Sequence, residues 1–269
     1  MATETLIAWT DSTFNAWMGC AKVSAGCAKC YAENLTKNRM GLTLWGHDAP
    51  RQETKGPWQN VRKWEREAAR GDMPGHYGII AGPVRTPHLV FLGSLMDWAE
   101  DRRALDPLRV KMWDLIRECP HLWFQMLTKR PENIARFLPS DWGDGYANVW
   151  LGTTIEDNRV KDRADHLRVI PARVHFISYE PAIGPIDRVD LSGIEWVICG
   201  GESGPGYRQI DMKWARDVRD RCVADGIAFF MKQDAAYRTE INPFLVEADG
   251  ARWAWKQYPG KFDAPVRIM

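Results

Sequence analysis

Three of the chain's six cysteines fall within eleven residues, in the stretch GCAKVSAGCAKCYAENL from Gly19 to Leu35. Thiolates at Cys20, Cys27 and Cys30, spaced C-x6-C-x2-C, can surround one metal centre. A structural zinc takes four protein ligands, commonly as paired knuckles, and no second CxxC exists here, so His47 or a lone cysteine would have to complete it. A [4Fe–4S] cluster on three cysteines leaves one iron open, which suits a cluster that binds and activates a ligand rather than only carrying electrons. The spacing points first to such an open cluster, with zinc and three unrelated thiols as the alternatives. Cys119, Cys199 and Cys222 stand alone and read as small buried apolar residues.

The elements that must position these residues follow from residue 88 onward, where short β-rich runs alternate with amphipathic stretches, the pattern of βα units around a parallel sheet. Six strands are expected, at 88–94, 122–128, 148–154, 173–180, 195–202 and 227–233. Helices are expected at 106–118, 131–138, 156–169 and 211–225, with starts at Asp106–Pro107, Arg130–Pro131, Glu156–Asp157 and Asp211. A strand near 5–9 and a helix at 31–40 would begin the series. Residues 41–87, broken by Gly, Pro, Trp and charge, read as an insertion holding a short helix at 60–70. Residues 235–269 read as an extension packed back on a single domain of 1–269.

In parallel βα folds the chemistry gathers at the C-terminal ends of the strands. Those ends deliver Ser94 and Asp97, Thr128, Lys129 and Arg130, Thr153, Thr154 and Glu156, Glu180, Glu202 and Ser203, and Lys232 and Gln233. Glu180 and Glu202 each stop a strongly apolar strand, where a carboxylate needs a partner. Four glycines crowd Glu202 in CGGESGPGYR, which lets backbone approach a ligand closely, but the Walker and dinucleotide spacings are missing.

Thirty-six Lys and Arg balance thirty-five Asp and Glu, so no overall charge steers the protein to nucleic acid or an anionic membrane, although a local basic face can still do so. The first residues carry no basic segment followed by an apolar run, and no stretch of about eighteen apolar residues occurs. The expected location is the cytoplasm, with no membrane partner.

The motifs FNAWMGCAKVSAGCAKCYAENL, VFLGSLMDW, MLTKRPENI, NVWLGTTIED, SYEPAIGPI, WVICGGESGPGYR and FFMKQ, running from about Trp9 to Gln233, resemble a phage-associated three-cysteine family of largely uncharacterised proteins. That family in turn resembles the radical S-adenosylmethionine superfamily, in particular its spore-photoproduct-lyase-like branch. The resemblance implies an α/β fold, a partial (β/α)6 TIM-like barrel, with a [4Fe–4S] cluster on Cys20, Cys27 and Cys30. S-adenosylmethionine would chelate the open iron, and one-electron reduction would give methionine and a 5′-deoxyadenosyl radical. Ser94, Glu156, Glu180 and Glu202 match strand-end positions that hold the methionine ammonium and the ribose hydroxyls in such proteins. The superfamily spacing is C-x3-C-x2-C, so the first gap here is longer, and Lys29 stands where an aromatic usually lies near the adenine, with Tyr31 as its substitute.

The expected function is a radical enzyme acting on a nucleobase of DNA or RNA, by modification or repair. Lys129, Arg130, Arg208 and Lys232 are the candidate phosphate contacts, and Trp45, Trp58 and Trp98 the candidate stacking surfaces, although most of the fourteen tryptophans are expected in the core. An electron donor such as flavodoxin or ferredoxin would be a partner. The alternatives are a radical enzyme on a small molecule or nucleotide precursor, and a non-catalytic cluster protein that senses redox state or iron.

Overall fold

The structure, a computed structural model, describes residues 5–72, 87–260 and 263–268. The part of the expected insertion at 73–86 lies outside the described residues. The chain divides into two compact units, one of residues 1–23, 32–151 and 171–173, the other of 24–31, 152–170 and 174–269.

In the first unit, β1 (Ser12–Phe14) is followed by β2 (Trp17–Met18), α1 (Tyr31–Met40, whose first residue belongs to the other unit), β3 (Gln52–Glu53), α2 (Gly56–Arg70), β4 (His88–Leu92), α3 (Asp106–Glu118), β5 (Leu122–Thr128) and α4 (Ile134–Phe137). β1 pairs in parallel with β4, and β4 with β5 from His88 opposite Leu122 to Leu92 opposite Met126. Every residue of β4 is buried, which is why the sequence shows a continuous apolar run rather than alternation. α2 buries Trp58, Val61 and Trp64 at helical spacing and stops at Gly71, whose φ of 77° is the left-handed conformation that glycine adopts without a Cβ clash. It starts at Gly56, four residues before the expected 60–70, because Pro57 occupies the first turn, where its missing N–H costs nothing.

β6 (Val149–Thr154) begins in the first unit and ends in the second. The second unit continues with α5 (Arg163–Arg168), β7 (His175–Tyr179), β8 (Trp196–Gly200), α6 (Met212–Asp225), β9 (Ala228–Gln233), β10 (Leu245–Val246), β11 (Arg252–Ala254) and β12 (Val266–Ile268). β7 pairs in parallel with β8, and β8 with β9. The sheet order is β1-β4-β5-β6-β7-β8-β9, so all six expected strands form and lie in chain order, and the fold is α/β on a seven-stranded parallel sheet. The register of β8 and β9 steps between Cys199 opposite Met231 and Gly200 opposite Gln233, which leaves Lys232 as the extra residue of a bulge. α6 is capped by the Asp211 carboxylate, which accepts from the Lys213 N–H, and ends at Gly226.

Within residues 245–268 the strands form the antiparallel sheet β10-β11-β12, and the chain between β11 and β12 bonds to the parallel strands: the Trp196 indole donates to the Gln257 carbonyl, and the Met231 N–H to the Trp255 carbonyl. Two helices are shorter than the sequence suggests. The 131–138 stretch is a 3-10 turn at Pro131–Asn133 followed by the single turn α4, and 156–169 is a 3-10 turn at Asn158–Val160 followed by α5. The first strand is Ser12–Phe14, not 5–9. Among the described residues no helix is long and apolar enough to cross a membrane.

Candidate functional site

Cys20 follows β2 and is fixed through backbone. Gly19 donates to the Leu95 carbonyl at 3.0 Å, and Gly46 donates to the Cys20 carbonyl at 3.0 Å. Gly19 must be glycine, since its φ is +109° and a Cβ would lie 2.5 Å from the Leu44 carbonyl oxygen. Ends of β4 and β5 then meet the sulfur. Arg130 Nη1 lies 3.6 Å from Cys20 Sγ and 2.8 Å from Asp97 Oδ2, while Nη2 donates to the Ala21 carbonyl at 2.7 Å. The Asp97 carboxylate also accepts from the Thr128 hydroxyl at 2.6 Å and the Lys129 N–H at 3.0 Å. Burial, and after it the Asp97 charge, push the Cys20 thiol up to about 12, with Arg130 acting in the opposite sense. Burial works against the charge of Arg130, and Asp97 and Cys20 more than offset it, so the guanidinium stays charged.

Cys27 and Cys30 lie in the Ser24–Tyr31 segment of the second unit. A 3-10 turn at Ala25–Cys27 closes on the Cys27 N–H to Ser24 carbonyl bond of 3.0 Å, with the Ser24 hydroxyl 3.8 Å from Cys27 Sγ. One strand-end carboxylate reaches this turn directly and a second is linked to it through an arginine. Glu156, 1% exposed after β6, accepts from the Gly26 N–H at 3.1 Å and from Arg163 at 2.8 Å. Glu202, 4% exposed after β8, accepts from the Arg208 N–H at 2.8 Å and Nε at 2.9 Å, and Arg208 Nη1 donates onward to the Ala25 carbonyl at 3.1 Å. Lys29 donates to the Gly206 carbonyl of the glycine-rich loop.

The other expected site residues fall as follows. Ser94 accepts from the Asn15 side chain at 2.8 Å. Glu180 accepts from the bulged Lys232 at 2.5 Å, and Lys232 also faces Glu240 at 3.8 Å. Tyr31 keeps 46% of its surface exposed, but its hydroxyl is enclosed, and that burial, then Cys30 and Glu180, push its phenol upward. Of the four candidate phosphate contacts, Arg130, Arg208 and Lys232 face Asp97, Glu202 and Glu180 respectively, and only Lys129 has no such carboxylate pair among the described interactions. Trp58 and Trp98 are core residues, 4% and 0% exposed and packed edge-on against Phe14 and Trp113, so neither offers a face to a base. Trp45 is half-buried. His47, the candidate fourth zinc ligand, is exposed beside Asp48.

None of the three clustered cysteines is in a disulfide, and each is half-buried, whereas Cys119, Cys199 and Cys222 are buried as expected. Burial pushes the thiols of Cys119 and Cys222 up to about 12, which leaves them inert. Among the described residues no group of three or more His, Cys, Asp or Glu side chains is set to hold a single metal ion. Cys20 belongs to the first unit and Cys27 and Cys30 to the second; all three are free thiols, the ligand type that an iron–sulfur cluster takes, and the Cys20 sulfur has a guanidinium nitrogen at hydrogen-bonding distance.

Sequence reasoning singled out the strand-end carboxylates but missed Gly26, Arg163 and Asn15, which meet them or their neighbours only in the fold. The chain matches, over residues 4–259, a family described as proteins of unknown function (DUF5131), and it belongs to that family. No curated protein and no solved structure matched it.

Proposed function

We propose that the protein is an iron–sulfur enzyme of the radical S-adenosylmethionine type on a partial (β/α)6 barrel, working in the cytoplasm with a donor such as flavodoxin or ferredoxin. The observation that carries this reading is the set of three free, half-buried thiols at C-x6-C-x2-C, with the Arg130 guanidinium directed at the Cys20 sulfur. Cys20, Cys27 and Cys30 would hold a [4Fe–4S] cluster, which supplies one-electron cleavage of S-adenosylmethionine to a 5′-deoxyadenosyl radical. Arg130 offers an N–H to one thiolate and a positive charge that balances it. Ser94, Glu156, Glu180, Glu202 and Tyr31 are the candidates for cofactor contacts; the first four already accept hydrogen bonds from Asn15, Gly26, Lys232 and Arg208 respectively. Anaerobically prepared protein should carry about four irons and four sulfides per chain and release 5′-deoxyadenosine when reduced with S-adenosylmethionine. One zinc per chain and no iron would overturn the reading.

The substrate in this reading is a nucleobase of DNA or RNA, with Lys129 and half-buried Trp45 as the remaining candidate contacts. One observation favours a second reading, a small molecule or nucleotide precursor: Arg130, Arg208 and Lys232 each already face an internal carboxylate. Binding to single- and double-stranded DNA and RNA across a salt series separates the two, since phosphate contacts weaken steeply with salt.

A further inference from the structure

Glu156 and Glu202 end β6 and β8 as apolar strands' terminal carboxylates, and each is buried below a twentieth of its free surface. In the structure their oxygens are occupied. Glu156 Oε1 accepts from the Gly26 N–H at 3.1 Å, and its Oε2 accepts from Arg163 Nη1 at 2.8 Å, a guanidinium that also donates to the Thr154 carbonyl at 2.8 Å. Arg208 brings Glu202 to bear on the residue before: its Nε and N–H hold Glu202, and its Nη1 reaches the Ala25 carbonyl at 3.1 Å. The two peptide groups gripped in this way, the Ala25 carbonyl and the Gly26 N–H, belong to one and the same peptide bond.

That geometry explains Gly26. A Cβ there would stand 2.9 Å from the Glu156 carboxyl group, so only glycine lets the carboxylate approach the backbone this closely. A donor and an acceptor of one peptide, each bound by a charged side chain from a different strand end, leave the plane of that peptide almost no freedom, and Cys27 follows it directly.

We propose that Glu156 and the Glu202–Arg208 pair are positioning residues that clamp the Ala25–Gly26 peptide and so set the direction of Cys27, rather than ligands of a bound cofactor. This deepens the cluster reading and rests on it for its purpose, though not for its geometry.

The first test therefore uses metal-free, reduced protein. Hydrogen exchange followed by mass spectrometry should show peptides covering 24–31 protected in the wild type. Glu156→Gln should raise their exchange by about tenfold or more, as loss of a charge-assisted hydrogen bond implies, while peptides of β4 and β5 stay within twofold. Arg208→Lys keeps a positive charge beside Glu202 but loses the second guanidinium reach to Ala25, and should raise exchange at 24–31 by a smaller factor. It decides the matter if Glu156→Gln fails to fold. In the second test, on anaerobically reconstituted protein, both variants should bind iron but lose it to a chelator several-fold faster than the wild type, with a broadened electron paramagnetic resonance signal. Unchanged exchange at 24–31 in both variants overturns the clamp. So does a tenfold loss of S-adenosylmethionine binding in Glu156→Gln with unchanged exchange, which would make the carboxylate a cofactor ligand. If the wild type binds no iron, the cluster reading falls, and the exchange result still decides the clamp.

Discussion

Cys20 and the Ser24–Tyr31 loop belong to different units and are anchored in opposite ways. Around Cys20 the backbone is held mainly by backbone, through Gly19 to Leu95 and Gly46 to Cys20, and the charged Arg130 divides between the sulfur and the Ala21 carbonyl. In the Ser24–Tyr31 loop the charged side chains are aimed at the backbone, at Gly26 N–H and Ala25 carbonyl, and the neighbour given to the Cys27 sulfur is the neutral Ser24 hydroxyl. A sulfur fixed by pairing can be tuned by charge, whereas a loop without pairing must use its charges to be fixed. The contrast teaches that strand-end charges in one molecule can serve electrostatics in one unit and geometry in the other.

The largest effect that would break this comparison concerns the sulfurs themselves. Cys20→Ala, Cys27→Ala and Cys30→Ala should each reduce anaerobic iron content to near zero, although their anchors differ. The same change at Cys119, Cys199 or Cys222, all buried, should leave iron unchanged and lower stability by about 1 kcal/mol in urea unfolding. If Cys20→Ala kept its iron while Cys27→Ala lost it, the two arms would not serve one centre.

Arg130 sharpens the contrast. Arg130→Gln leaves Asp97, 8% exposed at its side chain, without its cation and should cost about 3–5 kcal/mol of stability in the metal-free protein. In the reconstituted protein it should also make the cluster harder to reduce, because a cationic N–H donor near a thiolate favours the more electron-rich state. Arg130→Lys, which keeps charge, should recover part of both. Arg208→Lys should leave the potential near the wild-type value. Redox titration by electron paramagnetic resonance reads both, and an equal shift in the two variants would erase the distinction.

The same contrast marks what the sequence could and could not convey. β4 to β9 were legible because strands covered on both faces read as unbroken apolar runs. β1 was not, since the apolar letters LIAW at 6–9 precede it and Leu6 is 82% exposed. Its neighbourhood is polar yet buried: Thr10 donates its hydroxyl proton to the Leu89 carbonyl, and Asp11 accepts from the Leu89 N–H at 2.7 Å, so these side chains bind to the neighbouring strand β4. The 156–169 helix is shortened for a similar reason, with Asp157 capping a 3-10 turn by accepting from the Arg159 N–H. The three cysteines and the strand-end acids were visible as residue types. Which acid would meet which backbone group was not, because Gly26 and Glu156 lie 130 positions apart and nothing local joins them.

The smallest effect compares the buried cations of the two units. Arg130 has a carboxylate at 2.8 Å and holds its charge at every accessible pH. Lys256 in the second unit is half-buried against the Phe230 ring at 4.3 Å, with the Met231 carbonyl at 2.5 Å as its acceptor, and burial pulls its pKa down from 10.5 to about 8, with Lys232 acting in the same sense and Glu240 opposing. Below about pH 8 both folded and unfolded chains carry the proton, and the full cost of holding it in the fold is present. Between about 8 and 10.5 the unfolded chain binds more protons than the folded one, so stability should rise with pH across that window. Lys256→Met should therefore stabilise the protein at neutral pH by on the order of 1–2 kcal/mol, after allowing for the lost contact to Met231, and the gain should fade as pH approaches the upper end of the window. Urea unfolding of both proteins at neutral pH and again near about pH 9.5 measures it. A difference that stays constant between the two would mean that Lys256 is as well compensated as Arg130, and the two units would then treat their buried cations alike.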